Sequence, residues 1–155
     1  MTISQVTEHL YIGNFYAAGN EALLKSCGIT HIVVAAAGLP ARFPEQFEYL
    51  KVELYDLVEF NIMQHFSVTN EFIAKAETQG TVFVHCAMGI SRSSTIVLAY
   101  LMYKNRWKAA KALRFLKSKH PDAQPNIGFM QQLKSYEGTL GDTNGQLHLC
   151  ACALL

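Results

Sequence analysis

The chain has 155 residues, with 13 Lys and Arg against 12 Asp and Glu, so its formal net charge at pH 7 is +1. This balance provides no basic field for nucleic acid, and we expect no nucleic-acid partner. Half of the residues are hydrophobic and 16% are charged, which is enough apolar material for one core of ordinary size. The longest apolar run, residues 96–103, is too short to span a bilayer.

Short apolar strands alternate with helical segments along the chain. The first half is predicted to contain a strand at 10–13, a helix at 17–26, a buried strand at 31–37 and a strand at 49–54. The second half is predicted to contain a helix at 63–76, a strand at 81–84, and helices at 93–105, 108–119 and 127–136. This alternation predicts a single α/β domain.

The stretch from Val82 to Ser94 leads from a predicted buried strand through a turn into a predicted buried helix. Such a turn points backbone N–H groups at one spot, and the helix N-terminus adds positive potential, so the turn can bind a phosphate dianion. Arg92 closes the loop with a planar guanidinium that can bind two phosphate oxygens. The predicted phosphate-binding residues are Ala87, Met88, Gly89, Ile90, Ser91 and Arg92.

Cys86 lies at the base of this loop, where the same positive potential stabilises a thiolate. The thiolate can attack phosphorus and form a cysteinyl-phosphate intermediate, and Ser93 can hydrogen-bond the thiolate as it leaves. The side chain of His85 is expected to point away from the phosphate and to order the loop from a buried position. A lone cysteine is usually a core residue, but these residues between a strand and a helix favour catalysis.

Asp56 is the candidate general acid, because the expelled alkoxide or phenoxide needs a proton that the loop does not offer. It follows the predicted strand at 49–54, and parallel strands bring their carboxyl ends to the same edge of a sheet. From position alone, an aspartate that caps a loop is an equally good interpretation. Glu53 and Glu59 are nearby rivals, although Glu53 lies within the predicted strand.

These residues resemble the dual-specificity protein phosphatases of the small atypical kind, within the cysteine-dependent protein tyrosine phosphatase superfamily. The segment 85–93 matches the family signature of His-Cys, five residues, Arg, and Ser or Thr, and further blocks match at 10–13, 28–31, 99–102 and 125–133. The resemblance covers roughly residues 4–137. It implies a central, mostly parallel sheet of about four or five strands flanked by helices, and hydrolysis of phosphotyrosine and phosphoserine/threonine in proteins.

The resemblance also implies roles for single residues. It places the general acid on Asp56, and Asn126 matches a family asparagine that braces the active-site loops. His120 precedes Pro121 where the family often has Arg, a departure that we expect to alter local packing without touching the chemistry. Phosphoproteins are the implied substrates. We expect no cofactor and no metal, because the six histidines are scattered without metal-ligand spacing.

Rival functions fit the sequence less well. Lipid phosphatases with the same chemistry favour Lys inside the loop, whereas the residues between Cys86 and Arg92 are uncharged. RNA triphosphatases carry a different loop and usually a more basic surface. A catalytically inactive phosphoprotein-binding module would lack the nucleophile or the acid, and a sulfurtransferase would not explain Asp56 and Ser93 together.

The segment 138–155 is rich in Gly, Asp, Thr and Asn, and it is predicted to be a flexible tail after a catalytic domain at 1–137. Its last four residues, from Cys152, fit the C-a-a-X prenylation pattern, in which a terminal Leu favours geranylgeranyl. One prenyl chain holds a membrane weakly, so stable peripheral association would need a second lipid on Cys150. The alternative is an unmodified apolar tail packed on the domain.

Cysteine usage indicates a reducing compartment. The four cysteines have irregular spacings, and one of them lies in the candidate catalytic loop, so a secreted disulfide framework is disfavoured. We therefore expect a cytoplasmic enzyme, with a nuclear location or, after lipidation, a membrane-associated one as alternatives.

Overall fold

A computed structural model of the chain describes residues 2–153, with side chains described for residues 2–141. The strands are β1 (Ile3–Thr7), β2 (Leu10–Gly13), β3 (His31–Ala35), β4 (Glu48–Val52) and β5 (Val82–His85). The helices are α1 (Phe15–Ala18), α2 (Glu21–Ser26), α3 (Phe66–Gln79), α4 (Arg92–Asn105), α5 (Ala109–Lys119) and α6 (Ile127–Ala153). A 3₁₀ turn at Met63–His65 precedes α3.

The five strands form one sheet in the order β1-β2-β5-β3-β4. β1 is antiparallel to β2, whereas the pairs β2–β5, β5–β3 and β3–β4 are parallel. The predicted α/β domain with a mostly parallel sheet is therefore confirmed. The parallel strands end at the same edge, so the segments that follow β4 and β5 meet there.

The central helix α4 fixes the loop that follows β5. Its residues 93–102 are all buried, as the apolar sequence predicted, and they belong to the main core together with side chains from the sheet. A smaller apolar cluster, which contains Phe83 and Phe47, covers the other face of the sheet. The loop between β5 and α4 is thus anchored at both ends in buried structure.

Near the N-terminus the structure differs from the predicted elements. The predicted helix at 17–26 is two short helices, because Asn14 and Asn20 each cap a separate first turn through their side-chain oxygens. The edge strand β1 was not predicted, since only Val6 in it is fully buried and its sequence lacks an apolar run. The remaining predicted strands and helices up to residue 136 agree with the structure within a few residues.

The C-terminal segment also differs, since α6 continues through residues 138–153 where the sequence predicted a flexible tail. The division of the chain at residue 137 stays a prediction. Cys150 and Cys152, the candidate lipidation sites, have side chains outside the part that the structure describes. Within the described residues, none of the helices combines the length and apolar character needed to cross a membrane.

Candidate active site

The loop from Cys86 to Ser91, here the phosphate loop, joins β5 to α4 in a fixed backbone conformation. Gly89 has a φ of +74°, and a Cβ built on it would lie 3.0 Å from the backbone of Gly13 at the end of β2. Both facts require glycine at this position. The carbonyl oxygen of Ala87 accepts a hydrogen bond from the backbone N–H of Phe15 at 2.9 Å, so α1 also holds the loop.

Cys86 is 2% exposed and its sulfur lies inside the curve of the phosphate loop. The backbone N–H of Gly89 donates to Sγ at 3.2 Å. The hydroxyl oxygen of Ser93, in the first turn of α4, lies 3.1 Å from the same sulfur and can donate to it. The Gly89 N–H and the Ser93 hydroxyl therefore both lie within hydrogen-bond distance of Sγ.

His85 ends β5 and is 1% exposed. Its ring stacks on Phe83 at a centroid distance of 5.5 Å, and Nδ1 lies 3.1 Å from the carbonyl oxygen of Cys86. Burial lowers the pKa of His85 to about 4, so the imidazole is neutral near pH 7. A neutral ring holds that carbonyl through an Nδ1–H donor, which fixes the tautomer.

Arg92 connects the phosphate loop with the segment that follows β4. Its Nη1 donates to the carbonyl oxygen of Leu54 at 3.1 Å, and the side chain is half-buried. This bond leaves other N–H groups of the guanidinium available for an anion. Leu54 lies two residues before Asp56, so the same bond brings the candidate acid towards the phosphate loop.

Asp56 lies in the acid loop, residues 53–62, and is held by Asn126. The Asn126 side chain donates from Nδ2 to Asp56 Oδ1 at 2.9 Å. Its backbone N–H donates to the hydroxyl of Ser91 at 3.0 Å, and its Oδ1 caps α6 by accepting from the backbone N–H of Phe129. Asn126 thus touches both loops at once. The rivals Glu53 and Glu59 lie in the same loop with exposed side chains.

The first turns of α6 also support the acid loop. A Cβ at Gly128 would overlap the backbone carbonyl of Val58, so this contact requires glycine. The side chain of Gln132 accepts from the backbone N–H of Met63 at 2.9 Å and donates to the carbonyl oxygen of Phe60 at 2.8 Å. The acid loop is therefore positioned mainly by α6.

The family model of the dual specificity phosphatase catalytic domain matches residues 10–139. The chain belongs to the dual specificity phosphatase family. It is 42% identical over 138 residues to dual specificity protein phosphatase 1 of Arabidopsis thaliana, across 88% of this chain and 70% of that protein. It is 40% identical over 142 residues to the MAP kinase phosphatase with leucine-rich repeats protein 3 of Dictyostelium discoideum, across 91% of this chain and only 17% of that protein.

Solved structures show the same fold. A mouse putative dual specificity phosphatase complexed with zinc tungstate superposes with a TM-score of 0.87 at 33% identity, over 92% of this chain and 90% of that one. The family-model match covers the catalytic domain of the family, so this chain carries that domain.

His120 contacts the phosphate loop from outside the segments that were predicted to form the site. It is 1% exposed, and its Nε2 lies 2.7 Å from the carbonyl oxygen of Gly89 in the phosphate loop. Its Nδ1 lies 2.8 Å from the hydroxyl of Ser4 on β1. The contact with the phosphate loop was not predicted from the sequence, and the expectation that His120 leaves the chemistry unchanged stays a prediction. The one hint in the sequence is that the family often has Arg at this position before Pro121, and that departure does not indicate which residue His120 contacts.

Proposed function

We propose that this chain hydrolyses phosphotyrosine and phosphoserine/threonine in proteins through a phosphocysteine on Cys86. The observation that carries the proposal is the position of Cys86 Sγ, which receives the Gly89 N–H at 3.2 Å and faces the Ser93 hydroxyl at 3.1 Å. These donors stabilise the thiolate, which is the nucleophilic form of cysteine. Backbone N–H groups of the phosphate loop and the N-terminus of α4 bind the phosphate dianion.

In the first step the Cys86 thiolate attacks phosphorus in line with the ester oxygen. The P–S bond forms as the P–O bond to the substrate breaks, and Asp56 gives its proton to the departing oxygen. Arg92 is oriented by its bond to the Leu54 carbonyl. Its remaining N–H groups bind two phosphate oxygens and stabilise their negative charge.

In the second step water hydrolyses the phosphocysteine. Asp56, now a carboxylate, takes a proton from the attacking water, and the P–S bond breaks to release inorganic phosphate. The Ser93 hydroxyl donates to the sulfur as negative charge returns to it. Asn126 keeps Asp56 in place in both steps because it binds Oδ1 while it is anchored to Ser91 and α6.

Phosphate release from matched phosphotyrosine and phosphothreonine peptides tests the proposal. The unaltered enzyme should hydrolyse both, and Cys86→Ser should lose roughly 10⁴-fold or more in kcat because serine is not ionised there. Cys27→Ser is the matched control, since Cys27 is also a free cysteine but lies outside the site. Retained hydrolysis by Cys86→Ser would remove the nucleophile assignment.

We also propose that the enzyme works in the cytoplasm, which the irregular cysteine spacing supports. Fractionation of the unaltered protein and of Cys152→Ser from a eukaryotic cell, with intact masses, tests this location and the lipidation prediction together. In one outcome the unaltered protein is found in the membrane fraction with the added mass of a lipid, while Cys152→Ser is not. That result would replace the cytoplasmic assignment by a membrane-associated one.

A further inference from the structure

We propose that the mouth of the active site selects phosphoproteins in which apolar side chains flank the phosphorylated residue and acidic side chains are absent on that side. This inference rests on the phosphatase function proposed above. It begins from the uneven distribution of exposed apolar side chains over the described surface.

Six of the nine large apolar side chains that are exposed among residues 2–141 lie in the segments that build the site, and we call these six the apolar rim. Their exposed fractions range from 36% to 67%. The members of the apolar rim are Tyr55, Leu57, Val58, Met88, Ile90 and Ile127.

The contacts of the site bring these segments into one surface. Tyr55 and Leu57 stand on either side of Asp56, which is bonded to Asn126, and Ile127 follows Asn126 directly. The Asn126 backbone in turn binds Ser91, the neighbour of Ile90 in the phosphate loop. Soluble proteins rarely expose large apolar groups close together without a binding role, so six of them on segments that these bonds join around the site point to substrate contact.

Apart from Arg92, which follows the phosphate loop and is directed to the phosphate, the charged side chains of the rim segments are acidic. The segments 53–62, 86–91 and 121–128 contain no Lys or Arg. Their charged residues are Glu53, Asp56, Glu59 and Asp122. An acidic side chain of the substrate that is placed here is repelled by these carboxylates, which weakens binding. An apolar side chain placed here buries surface away from water, which strengthens binding.

The opposite side of the phosphate loop has a different character. There α1 contacts the loop through Phe15, and the guanidinium carbon of Arg42 lies 5.0 Å from the Phe15 ring centroid. The exclusion of acidic residues therefore applies to the side of the apolar rim. An extended phosphopeptide that lays apolar neighbours on the rim gains binding energy remote from the reacting bond.

Three phosphotyrosine peptides test this selectivity, identical except that the two residues on one side of the phosphotyrosine are Leu, Ala or Glu. A second set of three changes the two residues on the other side instead. The differences below are expected in the set whose varied residues lie on the apolar rim, and the other set is the matched control. We expect kcat/KM for the Leu peptide to be about tenfold above that for the Ala peptide, from the apolar area that it buries. The Glu peptide should fall several-fold below the Ala peptide, and higher salt should reduce that penalty.

Variants locate the effect. The double variant Leu57→Ser, Ile127→Ser should lose most of the preference for Leu while it still hydrolyses p-nitrophenyl phosphate, which is too small to reach the rim. Val68→Ser is the matched control, because Val68 is 47% exposed on α3 and outside the rim. It should keep the full preference.

The possible failures are distinguishable. Equal kcat/KM for the three peptides in both sets, with p-nitrophenyl phosphate hydrolysed, would overturn the selectivity and leave the phosphatase function intact. Failure of the unaltered enzyme on every substrate would overturn both. Equal peptide rates, combined with sedimentation on phosphatidylcholine vesicles that the double variant loses, would show a lipid-binding rim and also overturn the proposal.

Discussion

In the proposed mechanism the phosphate loop and the acid loop carry the two halves of the reaction, and the structure holds them in different ways. The phosphate loop is anchored by contacts with little or no exposure, among them Gly89 against Gly13 and the His120 ring against the Gly89 carbonyl. The acid loop has mostly exposed side chains, and its Asp56 depends on one amide of Asn126, in a contact open to solvent.

This difference separates what each loop controls. Buried contacts on both sides fix the geometry of anion binding and thiolate stabilisation before substrate arrives, as preorganised catalysis requires. The position of the proton donor instead depends on α6, through Asn126, Gly128 and Gln132. Changes at α6 should therefore affect leaving-group protonation, while changes behind the phosphate loop should affect anion binding.

Among the changes that distinguish the two loops, the largest expected effect is on the acid itself. Asp56→Asn should lower kcat by roughly 10²-fold on alkyl phosphates, whose leaving oxygen needs a proton, and by much less on p-nitrophenyl phosphate. The pH–rate profile should also lose the limb that reports the acid. Steady-state kinetics with a series of leaving groups measures this, and an equal loss across the series would make Asp56 a structural residue.

A smaller effect of the same kind is expected from Asn126→Ala. This change removes the amide that holds Asp56 Oδ1 and also the cap of α6, so kcat on poor leaving groups should fall about tenfold. Asn126→Ser is a matched control because its hydroxyl can keep the cap but is too short to reach Asp56. If it behaves as the unaltered enzyme does, the amide bond to the acid has no catalytic effect.

Behind the phosphate loop we expect the opposite pattern. His120→Ala removes the donor to the Gly89 carbonyl, so inhibition by vanadate should weaken about fivefold while the dependence on the leaving group stays unchanged. His120→Gln offers an amide donor of similar reach and should recover part of the affinity. If kcat of His120→Ala depended more strongly on the leaving group than kcat of the unaltered enzyme, the two loops would not control separate parts of the reaction.

The smallest effect is on the stability of the fold and comes from His85. Its pKa is lowered from 6.5 to about 4 by burial, so the unfolded chain binds more protons between these values. The stabilising contribution is present above pH 6.5 and is lost as the pH falls towards 4. Between pH 7.5 and 6 the free energy of unfolding should fall by somewhat under 1 kcal/mol from this group.

Denaturant unfolding at the two pH values measures this contribution, with His85→Gln as the comparison because glutamine does not titrate. An identical pH dependence in the two proteins would show that the ring is not held neutral by the fold.

The catalytic loop could be predicted from sequence because its chemistry is local. Cys86, Arg92 and Ser93 lie within eight residues between a buried strand and a buried helix, so their meeting needs only one turn. Asp56 could be placed at the correct sheet edge from the parallel topology alone. The resemblance, rather than spacing, favoured it over a loop cap.

Three features could not be predicted from the sequence, because each depends on contacts between residues far apart in the chain or on the surrounding structure. His120 reaches Gly89 across 31 positions and Ser4 across 116, and a single departure from a family pattern gives no direction for that contact. The edge strand β1 lacks the alternation of a half-buried strand, and its pairing with β2 determines its conformation. The helix that continues past residue 136 carries several glycines, whose weak helix propensity had predicted a tail.

The close fit of Gly128 against the Val58 carbonyl means that one substitution there can displace the acid loop. A single methyl group at that position, as in Gly128→Ala, would force the acid loop away from α6 without altering any reacting atom. We expect such a variant to bind phosphoproteins and to form the phosphocysteine with activated esters. It should hydrolyse the phosphocysteine slowly, because Asp56 is no longer placed to activate water. Gly128 therefore offers a way to build a substrate-capturing form of this phosphatase in which every side chain of the phosphate site is native.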